Sequence, residues 1–199
     1  MARIVICRHG NTFDKGDVVR RVGARTDLPL SQSGQIQAAQ LMEGLSDFHF
    51  KHAFCSSLRR TRETAEAILS RHKAKLEVLE FLTEIDYGID ENKAETDVIA
   101  RLGAKAIEDW DKAAIPPSGW HVDPDKLKQA WRDFFASYQN KDEDVLVVTS
   151  NGIARFVLDV AKSAQQNLPR KLHTAAYGVV ITSSQGIVIQ SWNQRAPAC

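Results

Sequence analysis

The tripeptide Arg8-His9-Gly10 ends the apolar run Ile4-Val5-Ile6-Cys7. That run is rich in β-branched residues and reads as a buried strand. A histidine delivered at the carboxyl end of such a strand lies where α/β sheets place their ligand crevice. A neutral imidazole can attack phosphorus. Arginine offers a rigid fork of donors that matches a phosphate. Glycine lets another group approach the backbone closely. Together the three residue types point to phosphoryl transfer through a phosphohistidine at His9. Three residues recur by chance, so the reading depends on what other segments bring to the same place.

Two further polar clusters follow strand-like runs. One is Ser56-Ser57-Leu58-Arg59-Arg60-Thr61 and the other is Thr149-Ser150-Asn151-Gly152. In an open parallel sheet the carboxyl ends of the strands share one crevice. Helices beginning there point free N–H groups into it, which favours an anion. The topology therefore places arginines, a histidine and two helix starts on one rim, with Arg8, Ser150 and Asn151 among the candidate phosphate-binding residues. Ser150 also has a plain reading as a helix cap. Asn11, Lys15 and Gly23 are candidate substrate contacts, with Lys15 a source of extra positive charge. The other histidines, His49, His52, His72, His121 and His173, lack ligand spacing and are not expected to be catalytic.

The elements that must hold these residues alternate between strand and helix. Residues 11–30 form a long polar loop, a length that itself hints at function. Ser31 and Ser33 cap a helix carrying Ile36, Ala39, Met42 and Leu45. Residues 52–56 read as a strand, residues 58–71 as a helix and residues 76–82 as a third strand. Ile99, Leu102, Ala106, Ile107 and Trp110 share one helical face, and Pro116-Pro117-Ser118-Gly119 breaks the chain. A further helix carries Leu127, Trp131, Phe134, Phe135 and Tyr138. Residues 145–149 are the clearest buried strand, followed by a helix through Ile153, Phe156, Val157, Val160 and Ala161. Strands 177–182 and 187–192 close the chain as a hairpin around Ser183-Ser184-Gln185-Gly186. The pattern predicts a three-layer α/β/α sandwich with a largely parallel sheet, in one domain over 1–199. A small helical lid insertion is expected over about 86–140, with Trp110, Trp120 and Trp131 packing it.

Composition narrows the classes. The chain has 199 residues, 43% of them hydrophobic, enough for a sizeable core. A formal net charge of +1 provides no long-range field for nucleic acid or an anionic membrane. No apolar run is long enough to span a bilayer. Cys7, Cys55 and Cys199 lack metal-type spacing, and Cys7 and Cys55 read as buried thiols. The chain enters a strand at once, without a signal peptide, and its last four residues lack a prenylation pattern. These features predict a cytoplasmic protein. Nothing in the sequence sets the oligomeric state.

Arg8-His9-Gly10 resembles the signature of the histidine phosphatase superfamily, also called phosphoglycerate mutase-like. Gly23, Asp27-Leu28-Pro29-Leu30-Ser31, Gly34 and Gln37-Ala38 resemble the segment that follows it. Ser56-Ser57-Leu58-Arg59-Arg60-Thr61-Arg62-Glu63-Thr64-Ala65 resembles the second motif, in which Arg60 would bind phosphate. Leu82-Thr83-Glu84-Ile85-Asp86-Tyr87-Gly88 resembles the block that carries the acid, which makes Glu84 the candidate, with Asp86 and Glu91 as alternatives. Residues 145–155 resemble the block that carries a second histidine, and there this chain has Ser150. It also has Phe13-Asp14-Lys15 where an aromatic residue and asparagine are usual.

The resemblance implies a metal-independent phosphatase for a small phosphorylated metabolite, with no cofactor. His9 would be the nucleophile, and Glu84 would protonate the leaving group. Ser150 carries no charge, which favours hydrolysis over phosphoglycerate mutase activity. It also opens a second reading, a degenerate member that binds a phosphate ester with little turnover. A third reading treats residues 148–152 as the nucleophile turn of a serine hydrolase, although the first glycine is missing and only His173 follows.

Overall fold

A computed structural model describes residues 1–163 and 167–196. Strand β1 (Ala2–Arg8) lies at its centre and is buried on both faces. Ile4 and Ile6 point to one side of the sheet, and Val5 and Cys7 to the other. β1 pairs in parallel with β4 (Asp144–Thr149), with Ile4 opposite Val145 and Arg8 opposite Thr149. β4 pairs in parallel with β2 (Phe50–Cys55), and β2 with the short β3 (Leu76–Val78). On its other side β1 runs antiparallel to β6 (Ala176–Ser183), which forms a hairpin with β7 (Gly186–Arg195). A two-residue strand β5 (Lys162–Ser163) joins the edge of β7. The order is β3-β2-β4-β1-β6-β7-β5.

Helices cover both faces, so the expected three-layer α/β/α sandwich is present. Helices α1 (Gln32–Gly44) and α2 (Arg59–Leu69) pack Leu41, Ala65 and Ile68 against Val5, Cys7 and Val148. Ser31 caps α1 by accepting from the Gly34 N–H at 3.2 Å. Asp14 adds a carboxylate at the same helix start, accepting from the Ser33 and Gln32 N–H groups at 2.9 and 3.1 Å. Bonds to Ser33 and Ser31 lead the interactions that pull the Asp14 carboxyl down to about 2. Helix α5 (Pro124–Ala136) lies on the opposite face, where Trp131, Phe134 and Phe135 join Ile4, Ile6 and Val147. Asp123 caps it, and Pro124 occupies its first turn, where no N–H is needed.

The stretch 86–140 thus divides in two. Helix α5 belongs to the core layer, because Trp131 is completely buried and donates to the Ile153 carbonyl at 3.0 Å. Helices α3 (Glu95–Leu102) and α4 (Ala104–Ala113) stand beside the strand ends instead. The single apolar face read over 99–110 is split between them at Gly103, where φ is +82°.

Two other expectations are revised, and one element is new. The strand over 76–82 stops at Val78, because residues 80–82 close a tight turn through Thr83 N–H to Glu80 O. The helix after β4 is only the four-residue α6 (Asn151–Ala154), followed by a tighter turn over Arg155–Asp159. Strand β5 carries no sequence pattern that would have announced it. Cys7 and Cys55 are free and buried, whereas Cys199 lies outside the described residues. Among the described residues, no helix is long and apolar enough to cross a membrane.

Candidate active site

Strands β1, β2 and β4 end at the same edge, since Arg8 is level with Thr149 and Cys55 with Val148. The segments that leave them therefore converge, and His9, Arg60 and Ser150 meet as their strand positions require.

His9 is held at both ends of its main chain. Its N–H donates to the Thr149 carbonyl at 3.1 Å, and its carbonyl accepts from Ala175 at 3.2 Å. Its Nδ1 lies 2.7 Å from the Gly10 carbonyl. A carbonyl can only accept, so Nδ1 carries the proton and Nε2 keeps a lone pair. Burial, followed by the charges of Arg60 and Arg8, pushes the imidazole well below its usual value of 6.5. His9 is thus a neutral imidazole with a defined tautomer at pH 7.

Two guanidiniums flank it, and among the described residues no carboxylate is bonded to either. Arg8 donates from Nη1 to the Leu172 carbonyl at 2.9 Å. Arg60, fully buried, donates from Nη1 to Thr26 O at 2.8 Å and from Nη2 to Gly23 O at 3.1 Å and Val22 O at 3.5 Å. Among the described residues, Nε of Arg8, Nε of Arg60 and Oγ of Ser150 are buried without a partner, and so is Nε of Arg21 on the cavity wall. An unmet buried donor costs about 1–3 kcal/mol, more when charged, so donors of this kind require an explanation. Ser150 occupies the cap position of α6 but makes no capping bond, and no histidine bonds its hydroxyl. Nothing therefore activates Ser150 as a hydrolase nucleophile.

Glu84 approaches from the turn after β3 and is 6% exposed. Its Oε1 accepts from the Ile85 N–H at 3.0 Å and its Oε2 from the Gly152 N–H at 3.3 Å. Gly152 leaves room for it, because a Cβ there would lie 2.0 Å from Glu84 Oε1.

A cavity of about 420 Å³ opens above this rim. Arg8, His9, Glu84 and Asn151 line it, and Phe13, Val19, Ile107 and Trp110 add apolar wall, whereas Arg60 and Ser150 are completely buried and are not among the lining residues. Asn11 lines it, while its side chain donates to Ser33 at 3.2 Å. Asn151 also lines it, but its Oδ1 accepts from the Leu172 N–H at 2.8 Å. Since Leu172 O holds Arg8, Asn151 supports that arginine through one residue. Lys15 is exposed and is not among the lining residues. Gly23 is buried beneath the loop and reaches Arg60 through its carbonyl. His173 is exposed outside the cavity.

Sequence reasoning missed Arg155. It is 1% exposed, stacks 4.0 Å over the Trp110 ring, and donates to the carbonyls of Asn151 and Trp110. It also reaches Asp111 at 3.5 Å, tying α6 to α4. Arg21 was missed as well. It pairs with Glu95 and faces the rings of Trp120 and Tyr87 at 5.0 and 5.3 Å. The available signal for Arg155 was an arginine four residues after Asn151, one helical turn from the strand end. Among the described residues, no cluster of three or more His, Cys, Asp or Glu is placed to hold a metal.

Comparison with known proteins adds three kinds of likeness. A family model described as histidine phosphatase superfamily (branch 1) matches residues 4–195. Fructose-2,6-bisphosphatase TIGAR of Bos taurus is 34% identical over 137 residues, covering 66% of this chain and 48% of that protein. This chain therefore spans about half the length of that relative. Fructose-2,6-bisphosphatase TIGAR B of Danio rerio is 26% identical, covering 98% of this chain and 77% of that protein. The crystal structure of phosphoglycerate mutase from Bacillus anthracis str. Sterne superposes with a TM-score of 0.78 at 25% identity, covering 97% of this chain and 93% of that one.

Proposed function

The chain belongs to the histidine phosphatase superfamily, and from that premise we propose that it hydrolyses a small phosphate monoester through a phosphohistidine at His9. The observation that carries the reading is the set of three unpartnered buried groups, Arg8 Nε, Arg60 Nε and Ser150 Oγ, beside a neutral His9. A phosphoryl group on His9 would bring the anion that the arginine donors lack.

In the first step His9 Nε2 attacks phosphorus and the bond to the leaving oxygen breaks. Arg8 and Arg60 hold the phosphoryl oxygens by charge-assisted bonds, and Ser150 adds a neutral donor. Glu84, protonated, gives its proton to the departing alkoxide. In the second step water enters, Glu84 takes its proton, and the oxygen attacks the phosphohistidine. Phosphate leaves and His9 returns to its neutral form. The two guanidiniums supply the positive charge that phosphoryl transfer requires, so the scheme calls for no metal.

The ligand is a small phosphorylated metabolite that fits the 420 Å³ cavity. Helices α3 and α4 act as the lid wall of a single domain and exclude water from the strand ends. Ser150 supports a second reading, tight binding with little turnover, because it donates without adding charge. It also disfavours mutase activity.

The test is a panel of phosphate esters, fructose-2,6-bisphosphate among them, assayed with a chelator present. Turnover that survives the chelator, an acid-labile phosphoenzyme, and loss of both in His9→Ala are expected. Ester binding without turnover would favour the second reading. Turnover that persists in folded His9→Ala would overturn both.

A further inference from the structure

Glu91 follows the short turn Gly88–Asp90, is partly buried, and takes no part in the steps above. Its carboxylate nevertheless collects four hydrogen bonds. Oε1 accepts from the Gly23 N–H at 3.0 Å, the Arg25 N–H at 3.1 Å and the Thr26 hydroxyl at 2.7 Å. Oε2 accepts from the Tyr87 N–H at 3.1 Å. Three of these donors belong to residues 22–26. The same five residues supply every carbonyl that holds the Arg60 guanidinium. Gly23 gives its N–H to Glu91 and its carbonyl to Arg60. Thr26 gives its hydroxyl to Glu91 and its carbonyl to Arg60.

We infer that Glu91 is the positioning residue of Arg60, acting through the loop 22–26 that lies between them. This rests on the reading of Arg60 as a phosphate ligand. The arrangement has a physical logic. A carboxylate bonded directly to Arg60 would neutralise the charge that an incoming phosphate needs. Main-chain carbonyls hold a guanidinium by their dipoles and leave its net charge intact. Carbonyls of an irregular loop are poorly directed unless the loop is tied down, and the Glu91 carboxylate ties it at three donors. The contact is too close for any side chain at position 23, where a Cβ would lie 2.3 Å from Glu91 Oε2 and 2.6 Å from Ile85 O. The loop is further pinned by Ala24 N–H donating to the Ile85 carbonyl at 3.0 Å.

Glu91→Gln tests this. The amide oxygen can still face the three loop donors, but without the carboxylate's charge, and the amide N–H then faces the Tyr87 N–H, a donor that now lacks its acceptor, so the side chain is pushed from its seat while the volume is kept. Binding of inorganic phosphate is measured by calorimetry and kcat/KM on an ester in parallel, for Glu91→Gln, Arg60→Ala and the double variant. Melting temperature controls for folding. Glu91→Gln should weaken phosphate binding and kcat/KM by about tenfold or more. In the Arg60→Ala background the same change should have no further effect, because the group it positions is gone. Losses that multiply in the double variant, or an unchanged Glu91→Gln, overturn the inference. Unchanged phosphate binding in Arg60→Ala overturns instead the phosphate-ligand reading on which it stands. If Glu91→Gln fails to fold, Thr26→Val removes only the hydroxyl tie. It should show a severalfold loss, again absent without Arg60, and no loss would overturn the inference.

Discussion

Gly152→Ala probes the proton donor without touching it. Gly152 is helical within α6, so alanine fits the backbone and in an open helix would add about 1 kcal/mol of stability. Here its Cβ would lie 2.0 Å from Glu84 Oε1 and 3.0 Å from Cδ, where 3.4 Å marks ordinary contact. Glu84 must withdraw by more than 1 Å and give up the bonds from Gly152 and Ile85. A misplacement of about 1 Å in a reacting group costs about 10²-fold, equivalent to about 2.7 kcal/mol. Overpacking costs about 1–3 kcal/mol, partly offset by the helix gain, so the melting temperature should fall by only a few degrees. The informative assay compares leaving groups. An alkyl phosphate needs its oxygen protonated as the bond breaks, whereas a nitrophenyl phosphate departs with little help. Alkyl turnover should fall about 10²-fold and aryl turnover less than about tenfold. Equal losses on both esters, or full alkyl turnover in a folded variant, would refute the assignment of Glu84 as the acid.

Three further outcomes follow from the same geometry. Ser150→Ala should leave the free protein as stable or slightly more stable, since it deletes an unpaired buried hydroxyl, while weakening phosphate binding by about five- to thirtyfold; a stability loss with unchanged binding would make Ser150 a structural residue. The acid limb of kcat/KM should lie below pH 6.5, because burial and the two arginines keep His9 neutral. The unfolded chain takes up that proton near pH 6.5 and the folded one does not, so denaturant-measured stability should decline as pH drops from about 6.5, and a rise would contradict the assignment. Asp90 accepts from the Trp120 indole at 2.7 Å and pairs with Arg101, so Asp90→Ala strands both partners and should cost about 3 kcal/mol in thermal or chemical unfolding.

The legible parts of the fold were those whose signal is local. The run before Arg8 and the run before Ser150 are apolar because both faces of β1 and β4 are covered. Ser31 announced α1 because capping needs only the next three residues. Helix α5 was legible as a helix but not as core, since its apolar face alone does not say which layer receives it. The break at Gly103 and the turn over residues 80–82 depend on where α4 and Glu84 must go, and no local period records that.

The site divides along the same line. Residue type and strand position alone singled out His9 and Arg8 as chemistry and the cluster around Arg59 and Arg60 as its neighbour, and family resemblance added Arg60 and Glu84. These choices need only side-chain chemistry and the rule that strand ends converge. Tertiary structure alone decided that Nδ1 of His9 is the protonated nitrogen, that Ser150 is unpartnered, and that Glu84 rests on Gly152, 68 residues away. It also turned Gly23 and Asn151 toward supporting the arginines and brought Glu91 beneath the loop that holds Arg60. Hydrogen bonds form between groups that the folded chain brings within about 3 Å, and that proximity is a property of the packed molecule, not of any segment of the sequence.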